Sequence, residues 1–124
     1  MAGNIGSLWQ GMGGLVSREE ILPGTLHLLI LQTVARGGQM HGYEIARVIQ
    51  QRSLDVLQVE EGSLYPALQR MLIKGWVKAE WGVTGENRRA RYYRLTAGGR
   101  KQLETELSQF ERVIGAVRRV IQTA

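Results

Sequence analysis

Arginine is concentrated in one short stretch of this sequence. Four arginines lie within seven positions, and Glu86 is the only acidic residue beside them; they are Arg88, Arg89, Arg91 and Arg94. Arginine carries a planar fork of N–H donors that fits phosphate oxygens and the guanine edge of the major groove. The whole chain is also basic, with a formal charge of +5 and a pI near 10.1. These features indicate an anionic partner, although net charge alone does not separate nucleic acid from a membrane surface.

Residues that catalysis requires are scarce. The chain has no cysteine, two histidines and one aspartate, which excludes a disulfide scaffold, a thiol nucleophile and a cysteine-based zinc site. His41 and Glu44 have the i, i+3 spacing of a metal pair, but we predict that His41 caps a helix. His27 lies in an apolar helix and is predicted to be a hydrogen-bonded interface histidine. We therefore expect no enzyme activity, no metal and no cofactor.

Length and composition are those of one globular domain. The 124 residues are 44% hydrophobic and 22% charged, which suffices for a buried core. No stretch approaches the ~20 apolar residues of a membrane-spanning helix, and no secretory signal is visible, so the expected compartment is the cytoplasm. Glycine is frequent in residues 1–20, for which we predict a flexible arm. The alternative is an arm that docks on a partner subunit through Leu8, Trp9 and Met12.

Apolar residues at helical spacing predict two short helices after this arm. The first begins at Pro23 and ends near Arg36, and it is apolar on almost every side, which is typical of a buried helix. Gly37 and Gly38 can end it in left-handed geometry. The second helix begins at residue 41 or 42 and continues to about residue 52.

A third helix is predicted from about Glu61 to Lys74. Its inner side is apolar and consists of Leu64, Leu68, Met71 and Leu72. Its outer side consists of Ser63, Pro66, Gln69, Arg70 and Ile73. Pro66 is expected in the first turn of the helix, where proline is tolerated. Glutamine can pair with an adenine edge and arginine with a guanine edge or a phosphate.

The hydrophobic period then changes to two. It predicts strands over residues 76–81 and 91–96, joined by a turn over residues 82–87. The arginine cluster therefore lies at the tip and on the descending strand of a hairpin. Trp76 and Trp81 are expected to pack in the core or the hairpin. Thr96 is the predicted N-cap of a long last helix.

The last helix carries an apolar seam. Its residues are spaced 4, 3, 4, 3, 4, which is a heptad repeat: Leu103, Leu107, Phe110, Ile114, Val117 and Ile121. A helix of about 25 residues is ~37 Å long and projects beyond a three-helix core. We predict that the seam pairs with a second copy of the chain, with packing back onto its own domain as the alternative.

Three short helices, a basic hairpin and a long helix form the layout of a winged helix-turn-helix followed by a dimerisation helix. The predicted fold class is α+β, mainly α. We divide the chain into an arm (1–20), a DNA-binding domain (21–96) and a dimerisation helix (97–124). A paired molecule of this kind contacts half-sites about one helical turn (~34 Å) apart on double-stranded DNA.

The sequence also resembles the PadR-like family of bacterial transcriptional regulators, and most closely a short-tailed subgroup. The likeness covers about residues 22–107. Its segments are Leu22-Pro23-Gly24-Thr25-Leu26, Met40-His41-Gly42-Tyr43-Glu44-Ile45, Glu61-Gly62-Ser63-Leu64-Tyr65-Pro66-Ala67-Leu68, Gly75-Trp76-Val77 and Asn87-Arg88-Arg89-Ala90-Arg91-Tyr92-Tyr93-Arg94-Leu95-Thr96. The combination is specific, whereas each segment alone is weak.

The resemblance implies a homodimeric repressor that binds a palindromic operator, with release by a small effector as an option. It maps DNA contacts onto the third helix and onto the basic hairpin, which is the wing of the fold. The outward position of Gln69 on the third helix adds that residue. The predicted DNA-binding residues are Ser63, Tyr65, Pro66, Gln69, Arg70, Arg88, Arg89 and Arg91. A packing role for Tyr65, and plain solvation for the arginines, remain alternatives. His27 replaces a residue that is commonly acidic in the family. Phe110 is the one aromatic residue of the last helix, so drug stacking between tryptophans is not carried over.

A competing interpretation is a protein-interaction module with a vestigial helix-turn-helix. Glu60 and Glu61 precede the third helix and would repel phosphate, which supports this reading. The same charges also suit the positive end of a helix dipole. Binding to genomic DNA fragments separates the two functions.

Overall fold

The computed structural model describes residues 24–122. The predicted arm over residues 1–20 and the predicted helix start at Pro23 lie outside this range. The elements are α1 (Thr25–Gly37), β1 (Met40–His41), α2 (Gly42–Arg52), α3 (Glu61–Ile73), β2 (Val77–Val83), β3 (Arg89–Leu95) and α4 (Ala97–Gln122). The predicted fold class is confirmed: the structure is a mainly helical winged helix-turn-helix with a long C-terminal helix.

A single apolar core joins the helices to the sheet. Within α1, Ile30, Leu31 and Val34 are fully enclosed. Leu28 and Thr33 are also buried, and at 100° per residue the five residues span about 220° of the helix, so the helix is buried on several sides, as predicted. Residues from every other element complete the core: Met40, Ile45, Ile49, Leu64, Ala67, Leu68, Met71, Val77, Tyr93, Leu95 and Leu103.

The sheet is antiparallel, with β3 between β1 and β2. β1 was not predicted, because a strand of two residues is too short to show alternation of apolar and polar side chains. The predicted turn over residues 82–87 was too long, since β2 continues through Gly82 and Val83. The Tyr92 ring lies across Gly82, where an added Cβ would be 2.9 Å from two ring carbons. This contact with the Tyr92 ring holds Gly82, a residue type that is common in turns, within β2.

Two side-chain caps place the starts of α2 and α4. His41 Nδ1 accepts the Glu44 N–H at 3.4 Å, and Glu44 Oε1 accepts the His41 N–H at 3.1 Å, which is a capping box. Thr96 Oγ1 accepts the Gly99 N–H at 2.9 Å. Both predicted caps are therefore confirmed. The predicted glycine end of α1 is also present, with Gly38 at a φ of +83°.

The expected position of Pro66 was wrong. α3 begins at Glu61, so Pro66 is its sixth residue and lies in the second turn. Proline has no N–H to donate to the carbonyl four residues back, which belongs to Gly62. Gly62 is exposed, so water can satisfy that carbonyl, and the helix continues through the proline.

Candidate nucleic-acid interface

The two sides of α3 differ sharply in burial. Leu64, Ala67, Leu68 and Met71 are held in the core. The outer side is exposed along the whole helix and includes Ser63, Pro66, Gln69, Arg70 and Ile73. This division is the one predicted from the sequence. It holds the helix firmly while leaving a glutamine and an arginine free to reach an external partner.

Tyr65 joins the start of α3 to the start of α2. Its ring packs against Gly42, where an added Cβ would lie 2.7 Å from the phenolic oxygen. The side chain is nevertheless 44% exposed, and none of the described residues forms a hydrogen bond with its hydroxyl. The ring therefore has a packing role, while the hydroxyl is available to an external acceptor.

The hairpin of β2 and β3 places the predicted arginines at its outer end. Arg88 lies in the tip, where Thr84 Oγ1 accepts the Arg88 N–H at 3.2 Å. Arg89 and Arg91 follow on β3, and both guanidinium groups lie near the Trp81 ring, at 4.7 and 5.8 Å from its centroid. Across residues 24–122, no carboxylate forms an ion pair with any of these three arginines.

Aromatic residues connect the hairpin to the start of α2, a contact that was not predicted from the sequence. The His41 ring meets the Tyr92 ring edge-on at 5.4 Å and stacks on the Tyr43 ring at 6.5 Å. Burial raises the pKa of Tyr93, which lies beside them on β3. These contacts depend on β1, which was not predicted. Its pairing with β3 brings the start of α2 to the edge of the hairpin.

One more exposed cation lies near the start of α3. The Arg47 guanidinium lies 5.8 Å from the centroid of the exposed Tyr43 ring. Both residues line a groove between α2 and α3 that also contains Glu60, Glu61 and Tyr65. This groove therefore combines one cation with two carboxylates, whereas at the outer end of the hairpin three arginines outnumber one carboxylate, Glu86.

His27 lies partly buried on α1. Its Nε2 atom has no hydrogen-bond partner among residues 24–122, so the predicted hydrogen bond does not come from this part of the chain, and its place at a subunit interface stays a prediction. The ring instead lies edge-on to Trp76 at 6.1 Å. Burial lowers the pKa of His27; Arg70 and Lys74 lower it further, while Glu106 opposes them. His27 lines a groove between α1 and α4, together with Gly24, Thr25, Leu28, Gln102, Glu106, Gln109, Phe110, Val113 and Ile114.

The seam of α4 divides into two parts. Leu103 is in the core, and Leu107 packs against it, so the first part of the seam contacts the chain's own domain. Beyond residue 107 the seam becomes more exposed, from 37% at Phe110 to 75% at Ile121. The outer part of the helix therefore presents an apolar face to solvent.

The helix α3 has one enclosed side and one exposed side, and the adjoining hairpin carries arginines that form no ion pair with any other residue that the structure describes. Together these features define a winged-helix DNA-binding protein. Within residues 24–122, no helix is long and apolar enough to cross a membrane, and no three metal-binding side chains come together.

Comparison with known proteins identifies the family. The profile of the PadR-like family of transcriptional regulators matches residues 30–105, more than half of the chain, so the chain belongs to that family and is a DNA-binding transcriptional regulator.

Individual relatives agree with this assignment. A transcriptional regulator from Clostridium thermocellum superposes with a TM-score of 0.72 at 25% identity, covering 80% of this chain and 95% of that one. A PadR-like regulator from Bacillus cereus gives 0.71 at 26% identity, covering 85% and 99%. An uncharacterised protein of Lysinibacillus sphaericus is 29% identical over 96 residues, which is 77% of this chain and 87% of the relative.

Proposed function

We propose that the chain is a homodimeric repressor that binds a palindromic operator. In this proposal α3 contacts base edges through Gln69 and Arg70, with Ser63, Tyr65 and Pro66 beside the backbone. The wing contacts phosphates through Arg88, Arg89 and Arg91. Two features support the proposal best: the exposed outer side of α3, and three arginines on the wing (Arg88, Arg89 and Arg91) that have no carboxylate partner within residues 24–122.

Salt dependence of binding tests the wing contacts. Each phosphate contact adds about −0.9 to the slope of log K against log salt concentration. We expect the Arg88→Ala/Arg89→Ala variant to reduce that slope on operator and random duplexes alike. The charge-matched control is Lys101→Ala/Arg112→Ala, two exposed cations on α4. Equal slopes for the two double variants would remove the wing from the interface.

Sequence preference tests α3 separately. Gln69→Ala and Arg70→Ala should relax the preference at one or two base pairs, with a cost of about 1–3 kcal/mol at each. The exposed Ile73 on the same side of the helix provides the control, because Ile73→Ala removes volume without a hydrogen-bonding group. Selection of bound fragments from genomic DNA measures all three preferences. Unchanged selectivity in both polar variants would contradict base reading by α3.

The outer seam of α4 supports the dimer. An apolar heptad face with residues as exposed as Val117 and Ile121 is unfavourable in a lone chain, and a second copy supplies the matching face. Ile114→Asp/Val117→Asp should yield monomers in sedimentation experiments, whereas Ala116→Asp, off the seam on the same helix, should not. A native chain that sediments as a monomer at micromolar concentration would contradict the proposal.

The groove between α1 and α4 is the proposed place for a small effector. It encloses about 360 Å³, which lies within the range of small-molecule sites. Its walls are mainly apolar, and their polar groups are Thr25, His27, Gln102, Glu106 and Gln109. A compound library screened for release of the bound operator tests the idea. Compounds that act should lose their effect in Gln102→Ala while operator affinity is retained.

A protein-interaction module with a vestigial helix-turn-helix is the second candidate. It is favoured by Glu60 and Glu61, which are exposed at the start of α3. Their position at a helix N-terminus also complements the helix dipole. A gel shift with fragments of the source genome decides between the candidates, since a protein-interaction module would shift none of them.

A further inference from the structure

Trp81 is an exposed aromatic residue on the wing. It lies on β2 directly opposite Arg91, and the neighbouring pair on the same face of the hairpin is Val83 and Arg89. The Trp81 side chain is 60% exposed, although burial of a tryptophan is favourable. Two guanidinium groups lie over its ring: the group of Arg89 is 4.7 Å from the ring centroid, and that of Arg91 is 5.8 Å from it.

Arg91 is held by rings and not by acceptors. Its guanidinium also lies 6.0 Å from the centroid of Tyr93, so it contacts aromatic rings on both strands. Its Nε atom is buried without a hydrogen-bond partner in the part of the chain that the structure describes. Stacking uses the faces of a guanidinium, whereas its N–H donors project from the edges. Because Nε is enclosed, the donors that remain available to an external anion are those of the two terminal amino groups.

The face that carries these residues is continuous with the core. Val77, Tyr93 and Leu95 lie on the same side of the sheet and are buried beneath the helices. Alternation along a strand places Trp81, Arg89 and Arg91 on that side as well. These three residues extend this face of the sheet beyond the edge of the core. They therefore lie on the side of the sheet that is covered by the helices, including α3.

We propose that Trp81 is a positioning residue for DNA binding, and that it orders Arg89 and Arg91 before the phosphates arrive. This inference rests on the proposed function of the wing. A free arginine side chain loses rotamer entropy when it binds, and an arginine already restrained on a ring loses less. An exposed cation–π contact is weak, and its loss corresponds to about a two- to fivefold change in affinity for each arginine.

The first test needs no DNA. Nuclear magnetic resonance relaxation of the arginine Nε–H groups reports their order in the free protein. Trp81→Leu should increase the mobility of Arg89 and Arg91, Trp81→Phe should increase it less, and Val83→Ala, which removes an apolar side chain from the same face, should leave it unchanged. Equal mobility in the native chain and Trp81→Leu would overturn the proposal.

The second test is a double-mutant cycle on operator binding. Trp81→Leu should weaken binding by roughly 4- to 25-fold for each half-site, from the two arginines of each subunit, with partial rescue by Trp81→Phe. In the Arg89→Ala/Arg91→Ala background the same substitution should have no further effect. An equal loss in both backgrounds would show that Trp81 acts independently of the arginines and would refute the inference.

Failure of the positioning role of Trp81 can be distinguished from failure of the proposed function. A native chain that binds its operator while Trp81→Leu binds equally well refutes the positioning role and leaves the proposed function intact. A native chain that binds no promoter fragment overturns both, whatever the relaxation experiment shows. Thermal unfolding of Trp81→Leu within a few degrees of the native chain excludes loss of the wing fold as the cause.

Discussion

Alanine at position 99 should destabilise the protein, although alanine normally favours a helix over glycine. Gly99 lies in the first turn of α4, where the helix meets the start of β2. A Cβ at this position would collide with the backbone carbonyl oxygen of Trp76, and the Trp76 carbonyl carbon would be only 3.0 Å away. The obstacle is backbone, so it cannot rotate aside as a side chain would.

The junction around Gly99 is restrained from several directions. The Thr96 N–H donates to the Trp76 carbonyl at 3.0 Å, and the Thr96 hydroxyl lies 2.6 Å from the Gly75 carbonyl oxygen. To admit a methyl group, α4 must move away from β2 and weaken these bonds. Forcing a methyl group into a closely packed contact costs about 1–3 kcal/mol.

Gly98 provides the matched control, because it is the neighbouring residue in the same turn. An added Cβ at position 98 would meet Thr96 Oγ1 at 3.6 Å and the Gly75 carbonyl at 3.8 Å, which are ordinary contacts. Gly98→Ala should therefore stabilise the protein by about 0.4–1 kcal/mol. The two variants should differ by roughly 2 kcal/mol or more.

Urea unfolding at a single protein concentration measures that difference, and the fixed concentration removes any contribution from subunit association. We expect Gly98→Ala to unfold at higher urea than the native chain and Gly99→Ala at lower urea, with similar slopes. If the two variants unfold at the same urea concentration, the close approach of α4 to Trp76 is wrong, and with it our account of how the wing is joined to the last helix.

Three further predictions concern the caps, the groove and the wing tip. His41→Ala should lower the free energy of unfolding by about 1 kcal/mol, and His41→Asn, which can still cap α2, should recover most of it in the same urea assay. The lowered pKa of His27 means that the unfolded chain binds the proton more tightly. Stability should therefore decline as the pH falls below about 6.5, and His27→Gln should flatten that decline between pH 7 and 5; an unaltered decline would assign it to other groups. Thr84→Val removes the acceptor of the Glu86 and Arg88 N–H groups, so amide exchange at both should accelerate while the free energy of unfolding changes by less than about 0.5 kcal/mol.

Side-chain periodicity predicted the helices well, because each has an apolar pattern that repeats over three or more turns. The inner side of α3 and the starts of α2 and α4 follow directly from apolar spacing and from capping chemistry at His41 and Thr96. The strands were less accessible. Two-residue β1 has no period, and the extension of β2 through Gly82 depends on a Tyr92 ring that packs from the opposite strand.

At the candidate site, too, helix faces could be predicted from the sequence, whereas contacts between elements could not. Exposure of Gln69 and Arg70 could be predicted, since it follows from their angular position on one helix. The contacts of Trp81 with Arg89 and Arg91 could not, because they depend on cross-strand register, and the predicted turn left the extent of both strands wrong. The unpartnered Nε2 of His27 was equally hidden, since it results from the approach of Trp76 to α1.

The positions of these groups imply a separation of roles within the proposed function. The wing carries Arg88, Arg89 and Arg91, which have no carboxylate partner in the described part of the chain, and it contributes sequence-independent attraction. The outer side of α3 carries one arginine and one glutamine, which contribute discrimination among bases. Loss of wing charge should therefore weaken operator and random DNA by the same factor and preserve their ratio, whereas Gln69→Ala should reduce the ratio with little change in random binding. Competition experiments at one salt concentration distinguish these outcomes, and a falling ratio in the wing variant would show that the wing also reads sequence.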